Sequence, residues 1–244
     1  MELRHLAWIV ALVLVGCQRE QWDDCVTGTG PVRTEERSVG AYTIIELNDR
    51  IDLVLEPRAA GTVSVEGGSN LLGQVVTEVR AGTLVVRNDM KCNWVRSFKP
   101  VITVRVPVEG AAELVLRGTG RVSATATVVR PVFRITQHDA QGVVELTVVA
   151  DTCYVGLHTG AGTVKVAGTC GVAYLYSGFM GPIEAGALAA QEVNVNNTSV
   201  VDITCRAAIQ LNAQVNSVGS VRYYGDPQVH TTGQGSGQVV RLGP

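Results

Sequence analysis

The chain of 244 residues carries 20 basic and 22 acidic side chains for a formal net charge of −2, and only three of the basic ones, Lys91, Lys99 and Lys165, are lysine. A balance so small and evenly mixed leaves no electrostatic footprint for nucleic acid, and no nucleic-acid partner is expected. After the first sixteen residues no stretch approaches the ~20 consecutive apolar residues of a membrane-spanning helix.

The chain opens with Arg4 and His5, an unbroken apolar run from Leu6 to Val15, and Gly16. This is the layout of a secretory signal, too short to span a bilayer as a mature helix. Leu14-Val15-Gly16-Cys17 directly after it resembles the lipobox of bacterial lipoproteins. That resemblance implies cleavage after residue 16, acylation of Cys17, and attachment to a membrane through lipid; the competing reading is an ordinary signal followed by a structural cysteine. Asp is absent just after Cys17, which by the same resemblance points to the outer membrane, on its periplasmic or its surface side. Gln18-Arg19-Glu20 is similar to the short charged signal of some surface-exported lipoproteins.

Residues 18 to 37 are polar, hold Thr27-Gly28-Thr29-Gly30-Pro31 and show no apolar period, so residues 17–37 read as a lipidated start followed by a flexible spacer. From Tyr42 the grammar is that of strands. Ile51, Leu53 and Leu55 alternate with Asp52, Val54 and Glu56; Val63 and Val65 alternate with Ser64 and Glu66; Leu84 to Val86 and Val101 to Val106 come next. Turn residues at Asn48-Asp49, Gly67-Gly68, Ala81-Gly82 and Pro107 punctuate these runs. Only Asn70 to Gln74 suits a helical turn. Residues 38–109 therefore form an N-terminal β region that caps or continues the structure built by residues 110–244, and Trp94, beside Cys92 and Phe98, suits the cap of a hydrophobic end.

Residues 110–244 repeat. Small-residue turns precede Val122, Val144, Val164, Ile183, Val201, Val221 and Val239, at spacings of 22, 20, 19, 18, 20 and 18. A near-constant period of this length predicts an all-β solenoid, parallel β-helix-like, in which each coil buries its apolar side only by stacking on its neighbours. Within a coil Val155 and Leu157 oppose Gly156 and His158, Val193 and Val195 oppose Asn194 and Asn196, and Leu211, Ala213 and Val215 oppose Asn212, Gln214 and Asn216. The first members line the interior and the second face out.

The Gly-Thr-Gly-type turns followed by valine, Gly225-Asp226-Pro227, Ile51 to Leu55 and Gly68-Ser69-Asn70-Leu71-Leu72 together resemble the head GIN domain family of putative auto-transporter adhesins, over about residues 38–239. The resemblance implies a β-helical solenoid, mostly in lipoproteins or secreted proteins, with adhesion as the inferred role. Two coils, at Gln137 to Ala140 and at Asn197 to Ser199, lack the glycines of that pattern, which predicts wider or looser corners there.

Five cysteines besides Cys17 lie in a compartment that favours disulfides; none falls in a Cys-x-x-Cys or Cys-His cluster of the kind zinc requires, and Cys153 with Cys170 is the expected pair. His138 and His158 stand twenty residues apart and should stack on adjacent coils about 5 Å apart. Their column holds no third ligand, so no metal is expected. Continuing outward, His138, His158, Tyr174, Tyr176, Asn194, Asn196, Gln214 and Asn216 form a polar and aromatic stripe. It reads either as a sugar-binding groove, with rings on pyranose faces and amides on hydroxyls, or as a solvated face braced by Asn and Gln ladders. Asp139, Asp151, Glu184, Glu192 and Asp202 are the acid/base candidates, yet none shares a column with another acid. No phosphate loop, metalloprotease or nucleophile motif is present, so neither a cofactor nor a catalytic residue is expected. The expected function is a membrane-anchored, non-enzymatic binding protein for a glycan or protein ligand. The alternatives are a polysaccharide lyase or glycosidase on the same fold, and an envelope scaffold without small ligand.

Overall fold

The computed structural model describes residues 28–90 and 101–244. The signal segment, Cys17, Cys25, Cys92, Trp94 and Phe98, and the expectations placed on them, lie outside the described residues.

The repeat region consists of long strands that each wrap most of one coil: β10 (Val128–Gln137), β11 (Val143–Leu157), β12 (Thr163–Ser177), β13 (Ile183–Asn197) and β14 (Ile203–Val215), numbered after nine strands of the N-terminal part. They pair in parallel at steps close to 20 residues, Val128 beside Val148 and Val143 beside Thr163. Within β11 the buried positions are Val144, Leu146 and Val148, then Cys153, Val155 and Leu157. Because strand side chains alternate, this switch from even to odd numbers means that the strand bends between Val149 and Thr152 and presents two inner faces to one core. The same switch recurs in β12 and β13. The chain from Gly110 onward is thus a β-solenoid, as the rhythm implies.

Six of the seven anchors stack as expected: Val122 on Val144, Val144 on Val164, Val164 on Ile183, and Val221 on Val239. The exception is Val201, whose place is taken by Ile203, which pairs with Ile183 on one side and Val221 on the other. The turn from Asn197 to Ile203 is as long as those from Ser177 to Ile183 and from Val215 to Val221, and Val201 lies within it. The buried Asn197 side chain donates to the carbonyls of Val201 and Ser220 and accepts from the Ser199 amide. This glycine-free corner is therefore tied by side-chain hydrogen bonds, and not loose. At the other glycine-free corner Asp139 itself takes the left-handed backbone, at φ 56°, and its amide donates to Thr159 Oγ1.

The N-terminal part both continues and caps the solenoid. Its strands are β1 (Val32–Ser38), β2 (Ile44–Asp49), β3 (Ile51–Glu56), β4 (Thr62–Gly68), β5 (Val75–Arg80), β6 (Thr83–Asn88), β7 (Ile102–Pro107), β8 (Glu113–Gly118) and β9 (Val122–Ala124). Residues Leu72–Gln74 form a 3-10 turn, inside the stretch suited to a helical turn. The coil β2–β3 lies between two others: β2 pairs with β6 and β8, and β3 with β7 and β9, all parallel. β5 runs antiparallel to β6, β4 to β7, and β1 to β4. β1 thus occupies residues that read in the sequence as the end of the spacer. At the far end β15 (Val221–Tyr224), β16 (Gln228–Thr232) and β17 (Val239–Gly243) complete the stack, β15 and β16 on β14 and β17 on β15.

One continuous core runs through both parts, with Ile45, Leu53, Leu114, Phe133 and Leu211 fully enclosed. The coils come together most tightly at the turn glycines. A Cβ on Gly142 would lie 1.9 Å from the Gly120 carbonyl oxygen, and one on Gly237 would lie 2.2 Å from that of Gly219. Neither has positive φ, so it is the approach of the neighbouring backbone that excludes a side chain there.

Cys153, Cys170 and Cys205 are buried free thiols, and the expected Cys153–Cys170 disulfide is absent. Cys153 stands in register with Ala173 and Cys170 with Ala150, so on their adjacent coils the two enter the core at different strand positions, on either side of the bend. Burial pushes the Cys153 and Cys205 thiols up to about 12 and Cys170 to about 11, which keeps all three protonated and unreactive at neutral pH.

Gly142→Ala should destabilise the fold by about 1–3 kcal/mol, through overpacking against the neighbouring coil. Gly73→Ala, which meets nothing within 4 Å, should change urea unfolding by far less.

Candidate functional site

On the face formed by β10 to β14 and β16, the outward side chains fall into columns set by strand register. One column is Arg134, Tyr154, Tyr174, Asn194, Asn212 and His230. Beside it run Thr136, Gly156, Tyr176, Asn196, Gln214 and Thr232. Together they line a shallow groove of about 510 Å³ along the solenoid axis. Of the sequence-derived stripe, His158, Tyr174, Tyr176, Asn194, Asn196 and Gln214 line this groove, while His138 and Asn216 stand outside its lining. The stripe merges three columns, since His138 and His158 belong to a rim next to the second one.

Register also supplies members that sequence reading missed. Tyr154 and Arg134 precede inward-facing Val155 and Ile135, so alternation alone places them outward. His230 could not be found that way, because β16 is short and its Val229 and Thr231 give little apolar contrast.

The rings are arranged along the axis. His138 and His158 stack with centroids 4.8 Å apart and planes 9° from parallel, as their spacing implies. Tyr154 and Tyr174 stack at 4.8 Å and 8°. The Arg134 guanidinium carbon sits 4.0 Å from the Tyr154 centroid, on the opposite side from Tyr174, so both faces of that ring are occupied. Tyr176 tilts 46° against His158 at 5.2 Å. Both faces of the Tyr154 ring are thus covered, whereas Tyr174 stacks on Tyr154 by one face and is 42% exposed.

The amides form the expected ladder. Gln210 Nε2 donates to Asn212 Oδ1, Asn212 Nδ2 to Asn194 Oδ1, and Asn216 Nδ2 to Asn196 Oδ1. Asn194 and Asn196 serve as acceptors in these bonds, so that the donor groups of these two groove-lining side chains are not used by the ladder.

The acid/base candidates are dispersed. Glu184 pairs with Lys165 at 3.1 Å, and Asp202 pairs with Arg222 at 2.6 Å while accepting the Ser220 amide at 2.8 Å. None of the five acids lines the groove. On the other long face Glu145, Lys165, Glu184 and Arg206 surround a wider trough with a small-residue floor that includes Ala167 and Ala187. Among the described residues no three His, Cys, Asp or Glu side chains converge on a metal position.

Comparison with known proteins is decisive about kinship. The family model described as putative auto-transporter adhesin, head GIN domain, matches residues 41–227. The chain belongs to this head GIN domain family. Its fold is similar to that of a putative adhesin from Bacteroides fragilis, at 26% identity over 87% of this chain and 97% of that one, with a TM-score of 0.77. A putative lipid binding protein from Parabacteroides distasonis shares the fold at 21% identity and TM-score 0.68, over 88% of this chain and 98% of that one. A putative adhesin from the same species is alike at 21% and 0.67, over 87% and 98%. No curated protein matches the chain.

Burial lowers the His158 pKa from its ordinary value, and repulsion from His138 lowers it further. A depressed folded-state value means that the stability His158 contributes is present above its unfolded pKa and lost as pH falls through the folded one. In an NMR titration of the imidazole protons His158 should titrate below 6.5, and His138→Asn should move it part of the way back up.

Proposed function

We propose that this head GIN domain protein is a non-enzymatic, adhesin-like binding protein of the cell envelope, held to the outer membrane by acyl chains on Cys17, with the β10–β16 groove as its ligand site. The observation that carries the binding reading is the groove itself. It brings Tyr154, Tyr174, Tyr176, His158 and the Asn194–Asn212 ladder together on a rigid sheet, and it holds no carboxylate pair for hydrolysis. Rigid rungs suit recognition because little side-chain freedom is lost when a ligand docks. The adhesin names of the family and of the similar structures support the same reading. The anchor reading rests on the lipobox-like residues 14–17 and on the strength of acyl attachment: each buried methylene contributes ~0.8 kcal/mol, so several chains on one residue make release rare.

Two measurements test this. The full chain, purified in mild detergent, should bind a subset of a glycan and cell-surface panel, and Tyr174→Ala should weaken that binding roughly tenfold; silence across the panel would overturn the reading. Cells fed an alkyne-bearing fatty acid should label the protein, and Cys17→Ser should abolish the label.

A further inference from the structure

We infer that the groove's occupant is a linear glycan bearing carboxylate or sulfate groups, lying parallel to the solenoid axis; this rests on the proposed function and names its ligand class. Three observations choose this ligand over a neutral sugar or an apolar chain.

The first is charge. Of the described residues that line the groove none is acidic, and Arg134 carries a permanent positive charge at one end; the His158 and His230 rings add N–H groups along it. This contrasts with the opposite long face, where Glu145 pairs with Arg121 at 2.5 Å and Glu184 with Lys165 at 3.1 Å, so that positive and negative groups cancel rung by rung. Glu113 lies 3.9 Å from Arg134 Nε, from the coil before, and is not part of the lining. The Arg134 side chain is 42% exposed and Glu113 half-buried, and a pair this long leaves guanidinium N–H groups available to a ligand oxyanion.

The second is the polarity of the hydrogen-bonding groups. The amide ladder engages the oxygens of Asn194, Asn196 and Asn212 and does not use the NH₂ groups of Asn194 and Asn196, two residues that line the groove. The tyrosine hydroxyls, the His158 ring and the Arg134 guanidinium add further donors. A surface rich in donors and free of carboxylates complements oxyanions, which accept only. The Tyr154 ring, between Arg134 and Tyr174, has no face left for a neutral pyranose.

The third is periodicity. Equivalent groups recur at the coil spacing, 4.8 Å between the Tyr154 and Tyr174 centroids. From Arg134 to His230 there are five such steps, roughly 24 Å in all. One β-linked pyranose unit extends a chain by a similar distance, so successive units of a straight polymer meet successive rungs. A globular ligand or a single sugar gains nothing from this repetition.

The test is calorimetry on the full chain in mild detergent with size-matched oligomers of β-linked polymannuronate, of sulfated chondroitin and of neutral xylan. Acidic oligomers of at least one kind should bind tenfold or more tighter than the neutral one, and tighten with length up to the groove's span. Arg134→Gln should weaken acidic binding roughly tenfold, Arg134→Lys much less. Asn194→Asp, nearly isosteric, places a carboxylate in the groove and should weaken acidic binding while sparing neutral binding; it keeps the test open should Arg134→Gln not fold. Equal or tighter binding of the neutral oligomer, or indifference to both substitutions, would overturn the inference. Cell-surface binding that is sensitive to Tyr174→Ala, with neither acidic oligomer bound, would overturn it too while leaving the binding function standing.

Discussion

Everything in this molecule depends on the close approach of one coil's backbone to the next. A single coil of about 20 residues has an apolar inner side that it cannot cover itself, and its strands have no partners until another coil lies above or below. Stacking supplies both at once: parallel main-chain hydrogen bonds along two faces, and a shared interior of valine, leucine and isoleucine. The tightest points of approach are the turns, where Gly142 meets the Gly120 carbonyl and Gly237 meets that of Gly219. Where a glycine is missing, the chain compensates locally, as Asn197 does with its three hydrogen bonds.

Much of this is legible in the sequence because the same physics writes the pattern. Inward valines recur since each must sit on its counterpart, and outward residues alternate with them since a strand leaves no other choice. The failures are equally physical. Val201 has the look of an anchor because it comes after small residues, but it is still inside the turn, where its carbonyl is held by Asn197, and the inward position falls to Ile203. Cys153 and Cys170 are close in sequence, whereas the bend in β11 and β12 sets the two thiols at different strand positions. β1 is hidden in a polar stretch because it lies at the edge, antiparallel to β4, with its side chains exposed and no apolar period to reveal it.

The candidate site divides in the same way. Its composition is readable, since outward His, Tyr and Asn residues stand out against the valines. Its geometry is not. Alternation tells which side of a strand a residue faces, yet only register tells that Arg134, Tyr154 and Tyr174 share one column and that the rings lie face to face along it. That arrangement changes the chemistry, because a ring already stacked on its neighbours offers a hydroxyl and an edge instead of a platform.

The interleaving of the N-terminal coils has a bearing on how such proteins change over generations. The β2–β3 coil is made early in the chain but lies between β6–β7, which β5 and β4 cover in turn, and β8–β9, which opens the long repeat. Duplication or loss of a unit on the capped side would unpair strands whose partners are far away in the chain. Beyond β9 each unit pairs its strands only with those of the units before and after it. Lengthening or shortening of the solenoid, and with it the number of rungs available to a ligand, is therefore confined by topology to the later part of the gene.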